Sequence, residues 1–260
     1  MKIAIIGAGA MGGAVGRGLL AAGVSPESLR VSNPTDAKLR PFADAGCATT
    51  SDNRAAVSGA DVVIVAVKPW ILPDVLRQIA AVTDSAHILL AVIAASVTCA
   101  EIDSWIDGKY AAGALVMPNT AMNVRRSMTF AVPLPKDKEV PGQIIEMFEK
   151  LGTIKAIDEA HLPAAMALAS CGIAYALRYI RAAVEGGVQM GIRAAEAQDI
   201  VAATVEGAAA LLTEQPGAHA EAEIDKVTTP GGVTIRGLNT MEAAGFTHAV
   251  ISGLLASTSK

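Results

Sequence analysis

The sequence predicts an α/β protein in two parts, a doubly wound parallel β-sheet followed by an all-α part. In the first half of the chain, short β-branched and apolar runs alternate with stretches that are compatible with helices. Continuous apolar strands separated by helices are typical of parallel sheets that are covered on both faces. After about Asp158 these runs stop, and nearly every residue from Leu162 to Leu212 is compatible with a helix. We therefore predict two domains, residues 1–158 and 159–260.

Six strands are predicted along the first domain, and Asp61–Val67 is the clearest because five of its seven residues are β-branched. The last of them is expected at an edge of the sheet. The predicted strands are Lys2–Gly7, Ser28–Asn33, Asp61–Val67, His87–Ile93, Gly113–Met117 and Met128–Leu134.

The second domain is rich in alanine and poor in charge, with expected breaks at Glu185–Gly191 (EGGVQMG) and Thr213–Gly217 (TEQPG). A helix that is apolar on most sides is normally buried. A small domain of such helices has few ways to bury them except against another chain. We therefore expect a homodimer through this domain, and a larger homo-oligomer stays open.

Composition narrows the class of protein further. The 260 residues carry a net charge of −4 with no basic cluster, so we expect no nucleic-acid partner. The longest uncharged apolar run, near Ala164–Leu177, is shorter than the roughly 20 residues that span a bilayer, so we expect no membrane partner. The cysteines Cys47, Cys99 and Cys171 have no metal-like spacing with the four histidines. They indicate reduced thiols, no metal and a cytoplasmic protein.

A glycine-rich turn follows the first strand. The stretch GAGAMG places Gly7, Gly9 and Gly12 in G-x-G-x-x-G order, and a helical stretch follows directly. In this arrangement the first glycine makes the tight turn, the second lets the backbone approach a pyrophosphate, and the third lets the helix lie close to the strand. The phosphates then bind at the helix N-terminus. The first domain is therefore predicted to be a Rossmann-type dinucleotide-binding domain.

The end of the second strand bears on the choice between NADP and NAD. NAD-preferring sites place a carboxylate there, whereas this chain has Asn33 and Thr35, followed by Lys38 and Arg40. The nearest carboxylate is Asp36. This pattern favours NADP and leaves NAD possible. The alternative is that the segment is an ordinary Asn-Pro turn.

Two further segments are candidates for binding. The stretch AVKPW (Ala66–Trp70) leaves the clearest strand at its carboxyl end, where ligands bind in open α/β sheets, although Lys68 also fits a solvated lysine. The stretch VTTPGGVTIRGL (Val227–Leu238) places a polar turn between two helical stretches. Its turn and helix start would present backbone amides to an anion. The alternative is a structural turn with Thr234 as the N-cap of the helix.

At this point the chain resembles the pyrroline-5-carboxylate reductases along nearly its whole length. The most specific match is the late stretch VTTPGGVTIRGLNTME. The other matching stretches are GAGAMG, DN (Asp52–Asn53), AVKP, MPNT (Met117–Thr120), GIAY (Gly172–Tyr175), GGVQMGI (Gly186–Ile192) and TEQPG.

The resemblance implies NAD(P)H-dependent reduction of 1-pyrroline-5-carboxylate to L-proline, the last step of proline biosynthesis. It also implies that Thr234 donates or accepts a hydrogen bond at the ring nitrogen, as the catalytic residue. The expected substrate-binding residues are Glu214, Thr229, Gly231, Gly232, Val233 and Thr234. The expected cofactor-binding residues are Gly7, Ala8, Gly9, Ala10, Met11, Gly12, Asn33, Thr35, Asn53, Ala66, Val67, Lys68, Pro69 and Ala94. For Glu214, a simple acid at a helix end is the alternative. Whether the late segment serves the cofactor of its own chain or of a partner stays open.

The chain departs from the family pattern in places. This chain has ASCGIAY (Ala169–Tyr175) where the family has S-G-S-G-P-A-Y, and ASV (Ala95–Val97) where the family has A-G-V. It has Leu115 at a position where an arginine is common in the family. Near Arg181, a helix glutamate of the family is replaced. These departures bear on the dimer and on the exact substrate more than on the reaction class.

Two other functions are weighed against this one. A β-hydroxyacid-type dehydrogenase needs a general acid/base, in that family a helix lysine of the second domain. This chain has no lysine between Lys155 and Lys226, which disfavours that alternative. A non-catalytic NADP-binding redox sensor is the other alternative, and only the departures at ASCGIAY favour it.

Overall fold

The computed structural model describes residues 1–83 and 87–258, which form two compact units, Met1–Ser170 and Cys171–Lys260. The division lies twelve residues after the predicted boundary because the segment that follows the last strand packs on the first unit. Leu162 belongs to the apolar core there, and the Glu159 carboxylate accepts a hydrogen bond from the Cys99 amide at 2.8 Å. A boundary between residues 158 and 159 stays a prediction.

The first unit is built on one eight-stranded sheet in the order β3-β2-β1-β4-β5-β6-β7-β8. All neighbouring strands are parallel except β6 and β7. The predicted Rossmann-type doubly wound sheet is therefore confirmed. The strands are β1 Ile3–Ile6, β2 Leu29–Ser32, β3 Ala48–Thr50, β4 Val62–Val65, β5 Leu89–Val92, β6 Ala112–Met117, β7 Ser127–Pro133 and β8 Gly152–Ala156.

Two features of the sheet differ from the sequence-based prediction. Strands β3 and β8 were not predicted, because β3 has only three residues and both strands are largely exposed, so neither forms a continuous apolar run. Strand β7 was predicted at an edge, which is wrong. It lies between β6 and β8, and β8 pairs with it in parallel from Ser127 to Ala131.

Helices cover both faces of the sheet. Alternate residues of β1 and β4 point to opposite sides, so Ile5 and Ile64 belong to one apolar cluster and Ile6 and Val65 to the other. Helices α1, α2 and α6 contribute to the first cluster, and α3, α4 and α5 to the second. The helices of this unit are α1 Ala10–Ala21, α2 Asp36–Asp44, α3 Asn53–Val57, α4 Leu72–Ala80, α5 Cys99–Ile106, α6 Gly142–Glu149 and α7 Leu162–Met166.

The second unit is all-helical, as predicted. Its first helix runs through Gly186 and Gly187, and the chain turns at Gly191, which has a φ of +94°. The break therefore falls inside the predicted segment but after its glycine pair. Gly187 serves packing instead, since a Cβ there would lie 3.0 Å from the Ala197 Cβ of the next helix. The helices are α8 Gly172–Gln189, α9 Ala194–Thr213, α10 Ala220–Val227, α11 Val233–Ala243 and α12 Phe246–Ala256.

Among the described residues, the stretch Glu159–Gln189 is long and apolar enough to cross a membrane by length and composition. It contains α7, a π-helical turn at Ala167–Cys171 and α8. The predicted uncharged run was shorter because it stopped at the first arginine.

Candidate active site

Four neighbouring strands have their carboxyl ends at the same level of the sheet. Ile6 of β1 is in register with Ser32 of β2 and with Val65 of β4, and Val65 is in register with Val92 of β5. The predicted cofactor residues Gly7, Asn33, Ala66 and Ala94 follow these positions directly or within two residues. The structure therefore brings the predicted cofactor segments of the first unit to one edge of the sheet, at the point where the strand order reverses. Ligands bind at this point in open α/β folds.

The glycine-rich turn has the geometry that its glycines allow. Gly7 has a φ of +98°, and a Cβ there would lie 2.6 Å from the Ala66 carbonyl oxygen. At Gly12 a Cβ would lie 1.9 Å from the Gly7 carbonyl oxygen. Helix α1 and the loop after β4 therefore pack against the turn at backbone distance. A side chain at Gly7 would displace the loop after β4, and a side chain at Gly12 would displace α1 from the glycine turn.

Gly9 differs from these two glycines because the space beside it is open. Among the described residues other than Gly9 and its two chain neighbours, no atom lies within 4 Å of a Cβ built on Gly9. Gly9 is also the N-cap of α1, and Ala10 and Met11 form its exposed or half-buried first turn. The first amides of a helix have no acceptor within it, and they carry the positive end of its dipole. An open space over such amides fits a phosphate group.

Asn33 ties the glycine turn to the end of β2. Its side chain is buried, with 6% exposed, and its Oδ1 accepts a hydrogen bond from the Ala8 amide at 3.1 Å. Its Nδ2 donates to the Thr35 carbonyl at 3.3 Å. Asn33 thus fixes the backbone on both sides of the place where an adenosine ribose is expected.

Asn53, at the start of α3, links two other elements. Its Oδ1 accepts a hydrogen bond from the Ser32 hydroxyl at 2.7 Å, and its Nδ2 donates to Gln78 Oε1 at 2.9 Å. The start of α3 is itself capped by the Asp52 carboxylate, which accepts from the Arg54 amide. This chain of hydrogen bonds holds the end of β2, the start of α3 and helix α4 together. Gln78 carries no motif, and no sequence pattern indicated it.

The segment after β2 exposes the groups that bear on cofactor choice. Thr35 is the N-cap residue of α2, and Thr35, Asp36 and Lys38 are all exposed. Asp36 lies in the first turn of α2, three residues beyond Asn33 at the end of β2. An ammonium group on Lys38 and a carboxylate on Asp36 therefore border the same short segment.

The loop after β4 is a rigid turn. Its backbone forms a 3-10 turn at Pro69–Ile71, closed by the Ile71 amide on the Lys68 carbonyl at 3.1 Å. Val67 and Pro69 are half-buried, whereas Lys68 and Trp70 are exposed. The Lys68 ammonium lies 5.8 Å from the centre of the Trp70 ring.

The loop after β5 contains a strained residue. Ala94 is buried, and two residues later Ser96 has a φ of +62°, a left-handed conformation that glycine adopts more readily than serine. Ser96 stands where the family pattern noted above has a glycine.

The predicted substrate residues of the second unit form a tight turn followed by a helix. The Gly232 amide donates to the Thr229 carbonyl at 2.9 Å, and Gly231 between them has a φ of +71°. Proline at the second position and glycine with positive φ at the third are typical of a type II turn. Gly232 itself has a φ of −67°, which residues with a side chain also adopt. Its lack of a side chain matters for another reason, since a Cβ there would lie 2.5 Å from the Thr229 hydroxyl oxygen.

Thr234 is exposed in the first turn of α11, directly after Val233. The N-cap of this helix is Gly232, so the alternative with Thr234 as N-cap is wrong. A glycine cap has no side chain to satisfy the first amides of α11, which leaves them available to an anion. Glu214 lies at another helix end: it is the exposed C-cap of α9, and its amide donates to the Ala210 carbonyl at 2.9 Å.

Cys47 and Cys99 are buried, and neither is among the predicted site residues. Burial raises the pKa of Cys47, and burial together with the neighbouring Glu159 carboxylate raises the pKa of Cys99 to about 12. Cys99 is therefore a thiol at neutral pH and a weak nucleophile. Within residues 1–83 and 87–258, no group of three or more His, Cys, Asp and Glu side chains could hold a metal ion.

Comparisons with known proteins agree with this arrangement. The family model described as pyrroline-5-carboxylate reductase dimerisation matches residues 159–260. A second model, described as NADP oxidoreductase coenzyme F420-dependent, matches residues 2–95. Among solved structures, a pyrroline-5-carboxylate reductase from Coxiella burnetii is 28% identical with a TM-score of 0.89, covering 99% of this chain and 96% of that one. An enzyme from Plasmodium falciparum, solved with NADP bound, has a TM-score of 0.85 at 24% identity, covering 99% and 95%.

Curated relatives are similar over the full length of the chain. Pyrroline-5-carboxylate reductase 1 of Dictyostelium discoideum is 36% identical over 99% of this chain, which spans 49% of that protein. Pyrroline-5-carboxylate reductase 2 of the same organism is 35% identical over 100% of this chain and 91% of its own length. Pyrroline-5-carboxylate reductase 3 of Macaca fascicularis is 31% identical over 99% and 93%. The chain belongs to the pyrroline-5-carboxylate reductase family.

Proposed function

We propose that this chain catalyses NAD(P)H-dependent reduction of 1-pyrroline-5-carboxylate to L-proline. The observation that supports this most is the combination of a Rossmann glycine turn with the Thr229–Thr234 segment in a member of this family. When bound, a reduced nicotinamide would supply a hydride to the carbon of the protonated C=N bond, and the π electrons of that bond would go to the nitrogen. The tasks left to the protein are orientation of the ring, a partner for the nitrogen and a site for the carboxylate.

We assign these tasks to the Thr229–Thr234 segment. The type II turn and the glycine N-cap of α11 leave the first amides of that helix free for the substrate carboxylate. The first turn of α11 contains no acidic side chain that would repel it. Thr234 is exposed beside these amides, so its hydroxyl can hydrogen-bond the ring nitrogen of a ligand held there. Holding a ring in this way lowers the barrier by restricting its orientation.

NADP is proposed as the preferred cofactor, with NAD as the alternative. Asn33 and Thr35 present neutral groups at the end of β2, and Lys38 is exposed one turn further on. A neutral or basic segment accommodates a 2′-phosphate, whereas an acidic residue at the end of β2 favours NAD. Asp36 lies next to Thr35 and is the residue most able to reduce this preference.

We propose that the protein forms a homodimer through the second unit. We also propose that it is cytoplasmic and has no nucleic-acid or membrane partner. Among the described residues from 171 to 258, Gly187 and Ala197 are the two that are buried. Leu177, Ile200 and Leu255 are all at least half exposed in the single chain. An apolar helical unit with so little buried surface requires a covering partner, and the family model matched here is one of dimerisation. A stable monomer in size-exclusion light scattering would contradict this proposal.

The decisive experiment measures oxidation of NADPH and, in parallel, NADH with pyrroline-5-carboxylate and with its six-membered homologue. Thr234→Ala should lower turnover sharply and leave NADPH affinity nearly unchanged. Thr240→Ala is the matched control, since Thr240 lies in the same helix and its hydroxyl bonds the Arg236 carbonyl. Full turnover in Thr234→Ala would refute the role of that residue. Turnover only with hydroxyacids would favour the dehydrogenase alternative, and cofactor binding without any turnover would favour the sensor.

A further inference from the structure

Trp70 is a large aromatic side chain that the apolar cores leave outside. Its exposed fraction is 75%, while the other tryptophan, Trp105, is partly buried against the second apolar cluster. Trp70 lies in a rigid turn, because Pro69 fixes the backbone before it and the Ile71 amide bonds the Lys68 carbonyl. A rigid exposed indole offers a flat surface that costs little entropy to use in binding.

The position of Trp70 relates it to the glycine turn. The loop that carries it begins at Ala66, whose carbonyl oxygen lies 2.6 Å from where a Gly7 Cβ would be. Helix α4 starts directly after this loop and is joined to the end of β2 through Gln78, Asn53 and Ser32. The loop after β4 and the end of β2 therefore border the same side of the sheet edge. In dinucleotide-binding sheets the adenosine half lies on this side, with its ribose at the end of the second strand.

The charge beside Trp70 favours an anionic ligand. The Lys68 ammonium lies 5.8 Å from the ring centre and is exposed. A planar ring next to an ammonium group matches a base that carries phosphates, because the base stacks on the ring while the cation faces the phosphates. A second protein chain would instead need an extended apolar surface around the indole.

We propose that the Trp70 indole stacks on the adenine ring of the bound dinucleotide, with Lys68 facing the adenosine phosphates. This inference rests on the cofactor part of the proposed function and does not depend on the identity of the imine. It makes Trp70 a cofactor-binding residue in addition to those predicted from the sequence.

The test uses adenosine 2′,5′-bisphosphate, which contains the adenine and both phosphates but no nicotinamide that could accept energy from tryptophan. In Trp105→Phe, Trp70 is the single tryptophan, and its fluorescence should fall saturably as this probe is added. In Trp70→Phe, only Trp105 remains, and it should not respond. Helix α5 runs from the carboxyl to the amino edge of the sheet, and Trp105 is its penultimate residue, far from the expected adenine.

Affinities give a second readout. Trp70→Ala should weaken binding of adenosine 2′,5′-bisphosphate about tenfold or more, the size expected for one lost base stack. Reduced nicotinamide mononucleotide, which lacks adenine, should bind Trp70→Ala and wild type equally, and Trp105→Phe should bind both probes as wild type does. Because Trp70 is exposed, its variants should unfold at the wild-type urea midpoint.

Two outcomes overturn the inference. One is that Trp70→Ala binds adenosine 2′,5′-bisphosphate with unchanged affinity. This includes the case in which the variant also changes the oligomeric state, which would show that Trp70 contacts another protein chain. The other is absence of quenching in Trp105→Phe at saturating probe. Quenching in Trp105→Phe together with weakened probe binding in Trp70→Ala supports the inference even if pyrroline-5-carboxylate is not reduced. Failure of the imine reaction and failure of the stacking contact are therefore distinguishable.

Discussion

The substitution Gly9→Ala tests whether the glycine turn binds a phosphate or only shapes the fold. The backbone of Gly9 has φ −72° and ψ −161°, an extended conformation that alanine also adopts. Apart from Gly9 and its two chain neighbours, no described residue has an atom within 4 Å of the Cβ that would be added. Folding should therefore tolerate this methyl group, while a ligand lying over the start of α1 should not.

The expected magnitudes separate the two effects. Replacing a glycine N-cap by alanine costs about 0.5–1 kcal/mol, and the smaller entropy of the unfolded alanine chain returns about 0.4–1 kcal/mol. The free energy of unfolding should thus change by less than about 1 kcal/mol. A methyl group that prevents one charge-assisted hydrogen bond to a phosphate costs about 1.5–3 kcal/mol of binding. The Kd for NADPH should therefore rise roughly 10- to 150-fold.

Two other glycines serve as controls. A Cβ at Gly12 would lie 1.9 Å from the Gly7 carbonyl oxygen, so Gly12→Ala should lower the free energy of unfolding by about 1–3 kcal/mol as well as weaken binding. Gly142, the exposed first residue of α6, has open space around it among the described residues. Gly142→Ala should change neither quantity by much.

The assay combines urea unfolding with titration of each variant by NADPH. Wild-type affinity in Gly9→Ala would refute the assignment of the glycine turn to cofactor binding. An undiminished free energy of unfolding in Gly12→Ala would refute the close packing of α1 on the turn.

Two further predictions concern residues outside the glycine turn. Ser96→Gly should raise the free energy of unfolding by about 1 kcal/mol, because serine is strained at the φ of +62° found there; a lower urea midpoint than wild type would contradict this. Burial and Glu159 raise the pKa of Cys99 from 9.0 to about 12, so the folded state holds this proton more tightly than the unfolded chain. The resulting stability is fully present below about pH 9 and is lost as the pH rises towards 12, by up to about 1.4 kcal/mol per pH unit. Between pH 8 and 11, the free energy of unfolding in urea should therefore decline less steeply in Cys99→Ala than in wild type. The matched control is Cys171→Ala, because the Cys171 thiol lies outside this cluster. Equal slopes in wild type and Cys99→Ala would contradict the prediction.

The strands that the sequence predicts well are those with both faces covered. β1 and β4 are buried at every position, so each reads as an unbroken apolar run. β3 and β8 are exposed on much of their surface, and their mixed residues resemble loop sequence. The error at β7 follows from the same cause, because a strand appears to be an edge when its outer neighbour is not recognised.

The turns of the candidate site were predictable where their backbone geometry depends on glycine. The positive φ of Gly7 and Gly231 strongly favours glycine, so these conformations leave a visible trace in the sequence. The hydrogen bonds that join Ser32, Asn53 and Gln78 connect residues 21 and 25 positions apart. Such contacts depend on how α3 and α4 pack, which spacing along the chain does not encode.

Two of the segments that depart from the family pattern have unusual backbone geometry. Ala169 and Cys171 fall in the π-helical turn Ala167–Cys171, and Ser96 holds a left-handed conformation two residues after Ala94. Gly7 in the glycine turn and Gly231 in the type II turn before Thr234 both have positive φ, as glycine allows. Because the altered segments change packing and strain while the expected ligand-binding turns are intact, these departures should alter stability and rate rather than the reaction that the protein catalyses.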